Sequence, residues 1–182
     1  MSVAPNIIWC ERCNFETTTA VIWGVFKYRF SDGSEIQVER SAGWCSACNS
    51  IQPVEKSTDR SKLLKKYEDL QKELARLQKS FVRTLLKFDK REIADIKYEC
   101  QEIEDQLRLL DVRRGPQRCL TCGSTEIAVI DLPSIGEEEI RKVDFCHPGC
   151  GGMLKIRKSH IRYSMNFPKK VYDVEGNRIL EK

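Results

Sequence analysis

The fold of this chain is decided by the stretch from Ser57 to Arg114, which reads STDRSKLLKKYEDLQKELARLQKSFVRTLLKFDKREIADIKYECQEIEDQLRLLDVRR. The stretch is rich in charged residues, contains neither glycine nor proline, and repeats apolar residues at helical spacing. This pattern predicts long helices. Paired cysteines lie outside the stretch on both sides, so the sequence predicts an α+β protein in which two small metal-binding lobes flank a helical element.

Apolar residues within this stretch form two series, each advancing by alternating steps of four and three residues. Such spacing is that of the heptad repeat in a coiled coil. The two series are out of phase, and near the break Asp89 and Glu92 resemble a helix N-cap and its capping-box partner. The first series is Leu63, Tyr67, Leu70, Leu74, Leu77 and Phe81, and the second is Ile93, Ile96, Cys100, Ile103, Leu107 and Leu110.

Two arrangements accommodate the phase break. We favour two antiparallel helices, 58–87 and 90–113, which form a hairpin arm of roughly 35–45 Å at the usual helical rise. The alternative is one bent helix of roughly 80 Å, which needs a partner chain to bury its apolar seam and implies self-association through the coiled coil. Cys100 lies on the seam, where we expect a small buried hydrophobe rather than a nucleophile.

The first lobe, residues 1–54, contains two cysteine pairs of the same form. Two residues separate the thiolates of each pair, so a tight turn can direct both sulfurs at one tetrahedral ion. Between the pairs, residues 17–30, an Asp-Gly turn and the alternating segment 35–39 predict a β-hairpin. The pairs are Cys10 with Cys13 and Cys45 with Cys48, and each is followed by an asparagine, Asn14 or Asn49, that suits a left-handed backbone.

A tryptophan, Trp9 or Trp44, precedes each of these pairs. We expect both rings to pack around the metal site, because buried aromatic residues dominate small cores. The alternative is an exposed surface on which nucleic-acid bases stack.

The second lobe, residues 115–182, carries a further set of cysteines. Cys119 and Cys122 repeat the two-residue spacing. Cys146 and Cys150 are separated by three residues, which is still within the range of zinc sites. His147 offers an alternative ligand, because pairing it with Cys150 restores the spacing of two and leaves Cys146 free.

The paired cysteines fit two closed four-thiolate sites, and we predict two structural Zn²⁺ ions. Each lobe has only about 50–65 residues, a size at which an apolar core is marginal and a metal is a common remedy. Four thiolates can also hold iron in an electron carrier, but zinc suits the same ligands without redox chemistry. The predicted ligands are Cys10, Cys13, Cys45, Cys48, Cys119, Cys122, Cys146 and Cys150.

One span, from Phe145 through Tyr172, is basic and contains no acidic residue. Cations interleaved with aromatic residues suit the phosphates and bases of nucleic acid. The alternative is that the cations point outward from a β-hairpin while the aromatic residues fill the core. The candidate nucleic-acid-binding residues are Lys155, Arg157, Lys158, Arg162, Lys169 and Lys170.

Features that the sequence lacks, together with its number of cysteines, limit the kind of protein that we expect. No apolar run is long enough to span a membrane, and residues 1–8 lack the pattern of a secretory signal. Nine cysteines without an export signal indicate the cytoplasm or another reducing compartment. With two histidines and no recognisable catalytic motif, the chain is predicted not to be an enzyme.

The cysteine pairs resemble the knuckles of zinc ribbons: three are Cys-x-x-Cys followed by Asn or Gly, and the fourth is one residue longer. This resemblance implies two small β-rich zinc ribbons, 1–54 and 115–182, flanking a long antiparallel coiled-coil hairpin, 55–114. A helical hairpin beside a four-cysteine zinc site is also similar to small bacterial transcription factors that insert a coiled-coil arm into RNA polymerase. The acidic arm tip of those factors is replaced here by a mixed, more basic segment, 88–92.

Two functions are consistent with these features. The first is non-catalytic binding of nucleic acid, DNA or RNA, or of a nucleoprotein complex through the basic second lobe. The second is a protein–protein adaptor or accessory subunit of a larger complex, which docks through its coiled-coil arm and its ribbons.

Overall fold

The computed structural model describes residues 2–79, 87–113, 115–164, 167 and 169–179. These residues form an α+β protein with two α-helices and several small, mostly antiparallel β-sheets. The chain divides into two compact units. Unit 1 contains Met1–Lys56 and Pro116–Lys182, and unit 2 contains Ser57–Gly115.

Unit 1 is built from short strands contributed by both ends of the chain. Before the helical insertion lie β1 (Ser2–Val3), β2 (Asn6–Cys10), β3 (Glu16–Thr18), a 3₁₀ turn (Thr19–Ile22), β4 (Val25–Arg29), β5 (Glu35–Gln37), β6 (Arg40–Cys45) and β7 (Ser50–Glu55). After it lie β8 (Ile127–Ile130), β9 (Ile140–Cys146), β10 (Met153–Lys158), β11 (Tyr163–Ser164), β12 (Lys169–Asp173) and β13 (Arg178–Ile179).

Every described sheet combines strands from before and after the insertion. The strand orders are β1-β11, β3-β2-β10-β9, β13-β12-β4-β5 and β7-β6-β8. All of these pairs are antiparallel except β4 with β12, which run parallel. The predicted hairpin of the first lobe is present as β4 and β5, joined by a turn in which Gly33 has a φ of 83°.

The predicted ribbon domains, 1–54 and 115–182, fall together in one compact unit of the structure. Both ranges belong to unit 1, because their strands pair with each other rather than only among themselves. The apolar core of either lobe alone would be marginal, because a small domain buries a small fraction of its surface. A single core shared by the two interleaved lobes buries more apolar surface than two cores of half the length. Unit 2 covers almost the same residues as the predicted helical segment, 55–114.

The core of unit 1 is assembled from the inward faces of the two interleaved sets of strands. Ile8 of β2, Val143 of β9 and Leu154 and Ile156 of β10 are fully buried, and Trp44 of β6 packs in the same cluster. Burying each of these aliphatic side chains contributes on the order of 1.5–3 kcal/mol. Because successive residues of a strand face opposite sides, this core also fixes which residues point outward from β2 and β10.

Unit 2 contains helix α1, Arg60–Lys79, and helix α2, Lys87–Val112. The N-cap of α1 is Asp59, whose carboxylate accepts hydrogen bonds from the backbone N–H and the hydroxyl of Ser61. Leu77 of the first apolar series is buried, as are Cys100 and Ile103 of the second, so the expectation of a buried Cys100 is confirmed.

Contacts between the helices join the beginning of α1 to the end of α2. The Arg60 and Asp111 side chains lie 2.5 Å apart, and Lys66 contacts Glu99 at 3.0 Å. Gln71 donates to the Cys100 sulfur at 3.7 Å. The two helices therefore lie side by side and run in opposite directions.

The predicted boundary between the helices differs from the structure. Helix α2 begins at Lys87, so Asp89 lies inside the helix and does not cap a helix that begins at residue 90. Lys87, the predicted end of the first helix, lies in α2, and residues 80–86, including Phe81, lie outside the described residues.

Candidate metal centres

Two groups of ligating side chains in unit 1 could hold metal ions. We call them the mixed centre, formed by Cys10, Cys13, His147 and Cys150, and the thiolate centre, formed by Cys45, Cys48, Cys119 and Cys122. In each group the ligand atoms all lie within 4.8 Å of one another. Each centre takes one pair from before the helical insertion and one from after it.

The mixed centre lies where β2 and β9 end. In this centre the Cys10 sulfur lies 3.4 Å from the Cys150 sulfur, and the Nδ1 atom of His147 lies 3.5 Å from Cys13 Sγ and 3.3 Å from Cys150 Sγ. Tetrahedral zinc, bonded at about 2.3 Å to sulfur and about 2.0 Å to nitrogen, places its ligand atoms roughly 3.5–3.8 Å apart. These three separations are close to those that a tetrahedral ion requires, and all four ligand atoms lie within 4.8 Å of one another.

Backbone geometry shapes this centre. The amides of Cys150 and Gly151 donate to the His147 carbonyl, which closes a tight turn between the two ligands. Gly151 has a φ of 66°, a conformation that favours glycine. Gly152 makes room for the ligand sulfur, because a Cβ atom there would lie 2.5 Å from Cys10 Sγ.

Aromatic rings enclose the imidazole of His147. The Phe15 ring stacks on it with centroids 4.8 Å apart, and the Trp44 ring meets it edge-on at 5.0 Å. Trp44 immediately precedes Cys45, a ligand of the thiolate centre, so one buried residue connects the two centres.

The thiolate centre is formed by the β6–β7 turn and by the turn that precedes β8. Cys45 and Cys122 have sulfurs 3.5 Å apart, and the Thr121 amide donates to Cys119 Sγ at 3.4 Å. Asn49 has a φ of 48° and Gly123 a φ of 79°, so the residue after the second cysteine is left-handed in both turns, as predicted. The expectation fails for Asn14, because Asn49 is the non-glycine residue with positive φ among the described residues.

The electrostatics of the thiolate centre favour a bound cation. Burial raises the pKa of the Cys48 thiol, and the neighbouring sulfurs of Cys122 and Cys45 raise it further. Burial also raises the pKa of Cys119, although backbone N–H groups of Cys122 and Thr121 oppose this effect. Sulfurs crowded in this way ionise together only when a cation compensates their charge, so the donor set fits a divalent ion and its binding releases protons.

The structure corrects the predicted ligand sets in two respects. Cys10 and Cys13 are brought together with His147 and Cys150, not with the pair at Cys45, so the pairs are nested across the chain. Cys146 is exposed at the end of β9 and belongs to neither group. The alternative in which His147 replaces Cys146 is the one present, and the restored spacing of two residues was its signal in the sequence.

The two tryptophans predicted to pack around the metal have different environments. Trp44 is buried and contacts a ligand, which confirms the expectation for that residue. Trp9 lies between the buried residues Ile8 and Cys10 of β2, so its ring points to the opposite, outer face of the sheet and is only half-buried.

The six predicted nucleic-acid-binding residues do not form one continuous surface. Lys155 and Arg157 lie on β10 beside Trp9: Lys155 Nζ is 3.4 Å from Glu11 Oε2, and the Arg157 guanidinium is 5.9 Å from the centre of the Trp9 ring. Lys158 and Arg162 line a separate cavity that Glu137, Glu138 and His160 also line.

The last two candidates lie on β12, in the other four-stranded sheet. Lys169 is held by Glu35 at 2.9 Å, and that carboxylate also binds Lys27 and Arg29. Lys170 Nζ lies 5.1 Å from the centre of the Phe26 ring, and burial lowers the pKa of this lysine. Lys169 is therefore engaged in an ion pair and Lys170 is packed over an aromatic ring, both on a different sheet from Lys155 and Arg157.

No described helix combines the length and the apolar character that crossing a membrane requires. No protein-family model, curated protein or solved structure matches this chain. Its function is therefore inferred from its own residues.

Proposed function

We propose that both centres bind Zn²⁺ and that both ions are structural. The proposal is supported by the ligand separations and by the complete set of four donors in each group, which leaves no open position for water or substrate. The imidazole in the mixed centre favours zinc over a four-thiolate iron site there. In this view the four turns are zinc knuckles of the ribbon type, shared between the two ends of the chain.

On this zinc-stabilised frame, the protein is a non-catalytic binding protein for nucleic acid. The observation that carries this proposal is the outer face of the β3-β2-β10-β9 sheet. Lys142 of β9 lies opposite Lys155 of β10, which lies opposite Trp9 of β2, and Arg157 contacts the Trp9 ring. Cations around a half-buried aromatic ring offer phosphate contacts and a stacking surface on one face.

The test is binding of fluorescently labelled oligonucleotides by the zinc-loaded chain at several salt concentrations. We expect affinity to fall steeply as salt increases, because bound phosphates release counterions. Arg157→Glu should weaken binding, whereas Lys65→Glu, a matched charge reversal on the exposed surface of α1, should not. Absent or salt-insensitive binding would contradict the proposal.

A second candidate function, docking of a protein partner, concerns unit 2. The antiparallel contacts between α1 and α2 favour a coiled-coil hairpin, and Leu64 and Tyr98 are large side chains exposed on these helices. A pull-down with and without nuclease, read by mass spectrometry, separates the two functions. A partner that survives nuclease treatment and is lost on Tyr98→Lys substitution would support docking through the helices.

A further inference from the structure

The outer face of the β3-β2-β10-β9 sheet has a specific arrangement of aromatic, basic and apolar side chains. Strand alternation directs Ile7 and Trp9 of β2 to this face, because Ile8 and Cys10 between and beside them are buried in the core. On β10, Lys155 and Arg157 face the same way, since Leu154 and Ile156 are fully buried.

Strand register places these side chains in two adjacent rows. One row runs from Trp9 through Lys155 to Lys142, and the next runs from Ile7 through Arg157 to Ile140. Neighbouring strands in a sheet are about 4.8 Å apart, so Lys142 lies roughly 10 Å from Trp9 across the sheet. Ile140 is 60% exposed, which leaves an apolar surface beside the cations.

We infer that this face binds single-stranded nucleic acid, with a base stacked against Trp9 and the backbone phosphates held by Lys142, Lys155 and Arg157. The inference rests on the nucleic-acid function proposed above and specifies its ligand. In a duplex, the faces of the bases are covered by their neighbours, and an indole ring on a sheet surface cannot reach them. In a single strand, the base faces are accessible, and stacking on an aromatic side chain is tolerant of sequence.

Carboxylates on the same face limit its positive charge. Glu11 holds Lys155, and Glu16 of β3 lies opposite Trp9 at the sheet edge. The Glu11 carboxylate lies 3.4 Å from the Lys155 ammonium, so it competes with a phosphate for Lys155. With the cations partly neutralised, electrostatic attraction alone is modest, and the stacking contribution of Trp9 decides which form of nucleic acid binds.

The experiment compares a labelled oligo(dT) with a duplex of the same length, by fluorescence anisotropy with the zinc-loaded full chain. We expect tighter binding of the single strand. Trp9→Ala should weaken single-strand binding roughly five- to a hundredfold, the range for loss of one stacked base, and should change duplex binding little. Trp9→Phe retains an aromatic face and should recover most of the loss.

A further variant and measurements of folding separate stacking from loss of the fold. Glu11→Gln removes a competing charge and should tighten single-strand binding, an outcome that a destabilised protein would not produce. Zinc content and circular dichroism of each variant report folding, and Trp9→Phe, a smaller change, preserves the test if Trp9→Ala loses metal. An oligo(U) in place of oligo(dT) shows whether the strand is also accepted as RNA.

The results of these binding assays separate single-strand binding at Trp9 from nucleic-acid binding in general, the proposed function on which it rests. Equal binding of single strand and duplex, or unchanged single-strand affinity in Trp9→Ala and Trp9→Phe, would overturn the inference while leaving salt-dependent nucleic-acid binding in place. No binding of either form would remove both.

Discussion

The mixed centre can be tested by adding one methyl group to the chain. At Gly152, a Cβ atom would meet Cys10 Sγ at 2.5 Å and Arg12 Cβ at 2.8 Å, both closer than non-bonded atoms approach. Gly152 is buried and is followed by β10, so the backbone has little freedom to move away. Gly152→Ala should therefore displace the Cys10 ligand from its position.

The expected cost is that of overpacking a well-ordered site, about 1–3 kcal/mol. If this cost acts on metal binding, affinity at the mixed centre falls roughly five- to a hundredfold. Competition with a chromogenic chelator measures the two ions separately, and the thiolate centre should retain its affinity.

Gly136→Ala is the matched control, because a Cβ there meets its nearest neighbour, Glu139, at an ordinary 3.5 Å. This variant should bind both ions as the parent does. Parental affinity for both ions in Gly152→Ala would refute the reasoning that places Cys10 and Gly152 around one ion.

Three further predictions concern the frame around the centres. Trp44→Ala leaves a cavity beside His147 and should reduce the free energy of unfolding by about 3–5 kcal/mol, with weaker metal retention at both centres. Chemical denaturation combined with metal analysis measures both effects. An effect confined to one centre would show that the two centres are independent. Replacing the helical insertion between Lys56 and Pro116 by a short flexible linker should leave two bound ions per chain, as counted by native mass spectrometry. The reason is that the chain segments on either side of the insertion are already joined by a 2.9 Å hydrogen bond from the Glu55 amide to the Arg118 carbonyl. Loss of either ion would contradict this prediction. Glu35→Gln should cost on the order of 1 kcal/mol in thermal or chemical unfolding, equally at pH 7 and pH 5.5. Arg29, Lys169 and Lys27 lower the pKa of Glu35 from 4.5 to about 2, so its contribution is complete at pH values above 4.5 and is lost progressively as pH falls from there through about 2. A cost that shrinks between pH 7 and 5.5 would show that the three cations do not hold this carboxylate.

The local elements of this protein can be read from its sequence because their signals are local. The absence of glycine and proline and the two apolar series indicate the helices, and Leu77, Cys100 and Ile103 of these series are buried. Cysteine spacing likewise identifies the turns that carry most of the ligands, because a tight turn needs few residues to aim two sulfurs at one ion.

Which turns share an ion could not be read in the same way. The pairing depends on contacts between strands more than a hundred residues apart, such as β2 with β10, and no periodicity in either strand specifies its partner. All four cysteine pairs have spacings within the range of zinc sites, so adjacent and nested pairing are both compatible with the motif. His147 was detectable only as a rival to Cys146, since a spacing of two or three residues is compatible with zinc.

The sequence could not show which of Trp9 and Trp44 is buried, for a related reason. Each lies in an apolar segment beside a cysteine, and neither segment alternates clearly between polar and apolar residues. The face that each ring occupies is set by the register of its neighbours in the assembled sheets, and this register makes Trp44 part of the core and Trp9 part of a surface.

In the nested arrangement, each proposed ion joins one cysteine pair from before the helical insertion to one ligand pair from after it. The most direct measurement is the number of ions bound by two double variants, counted by native mass spectrometry. Nested pairing predicts that Cys10→Ser/Cys150→Ser, which damages the mixed centre alone, retains one ion, and that Cys10→Ser/Cys45→Ser, which damages both centres, retains none. One ion in Cys10→Ser/Cys45→Ser and none in Cys10→Ser/Cys150→Ser would contradict the account and would restore two separate ribbons.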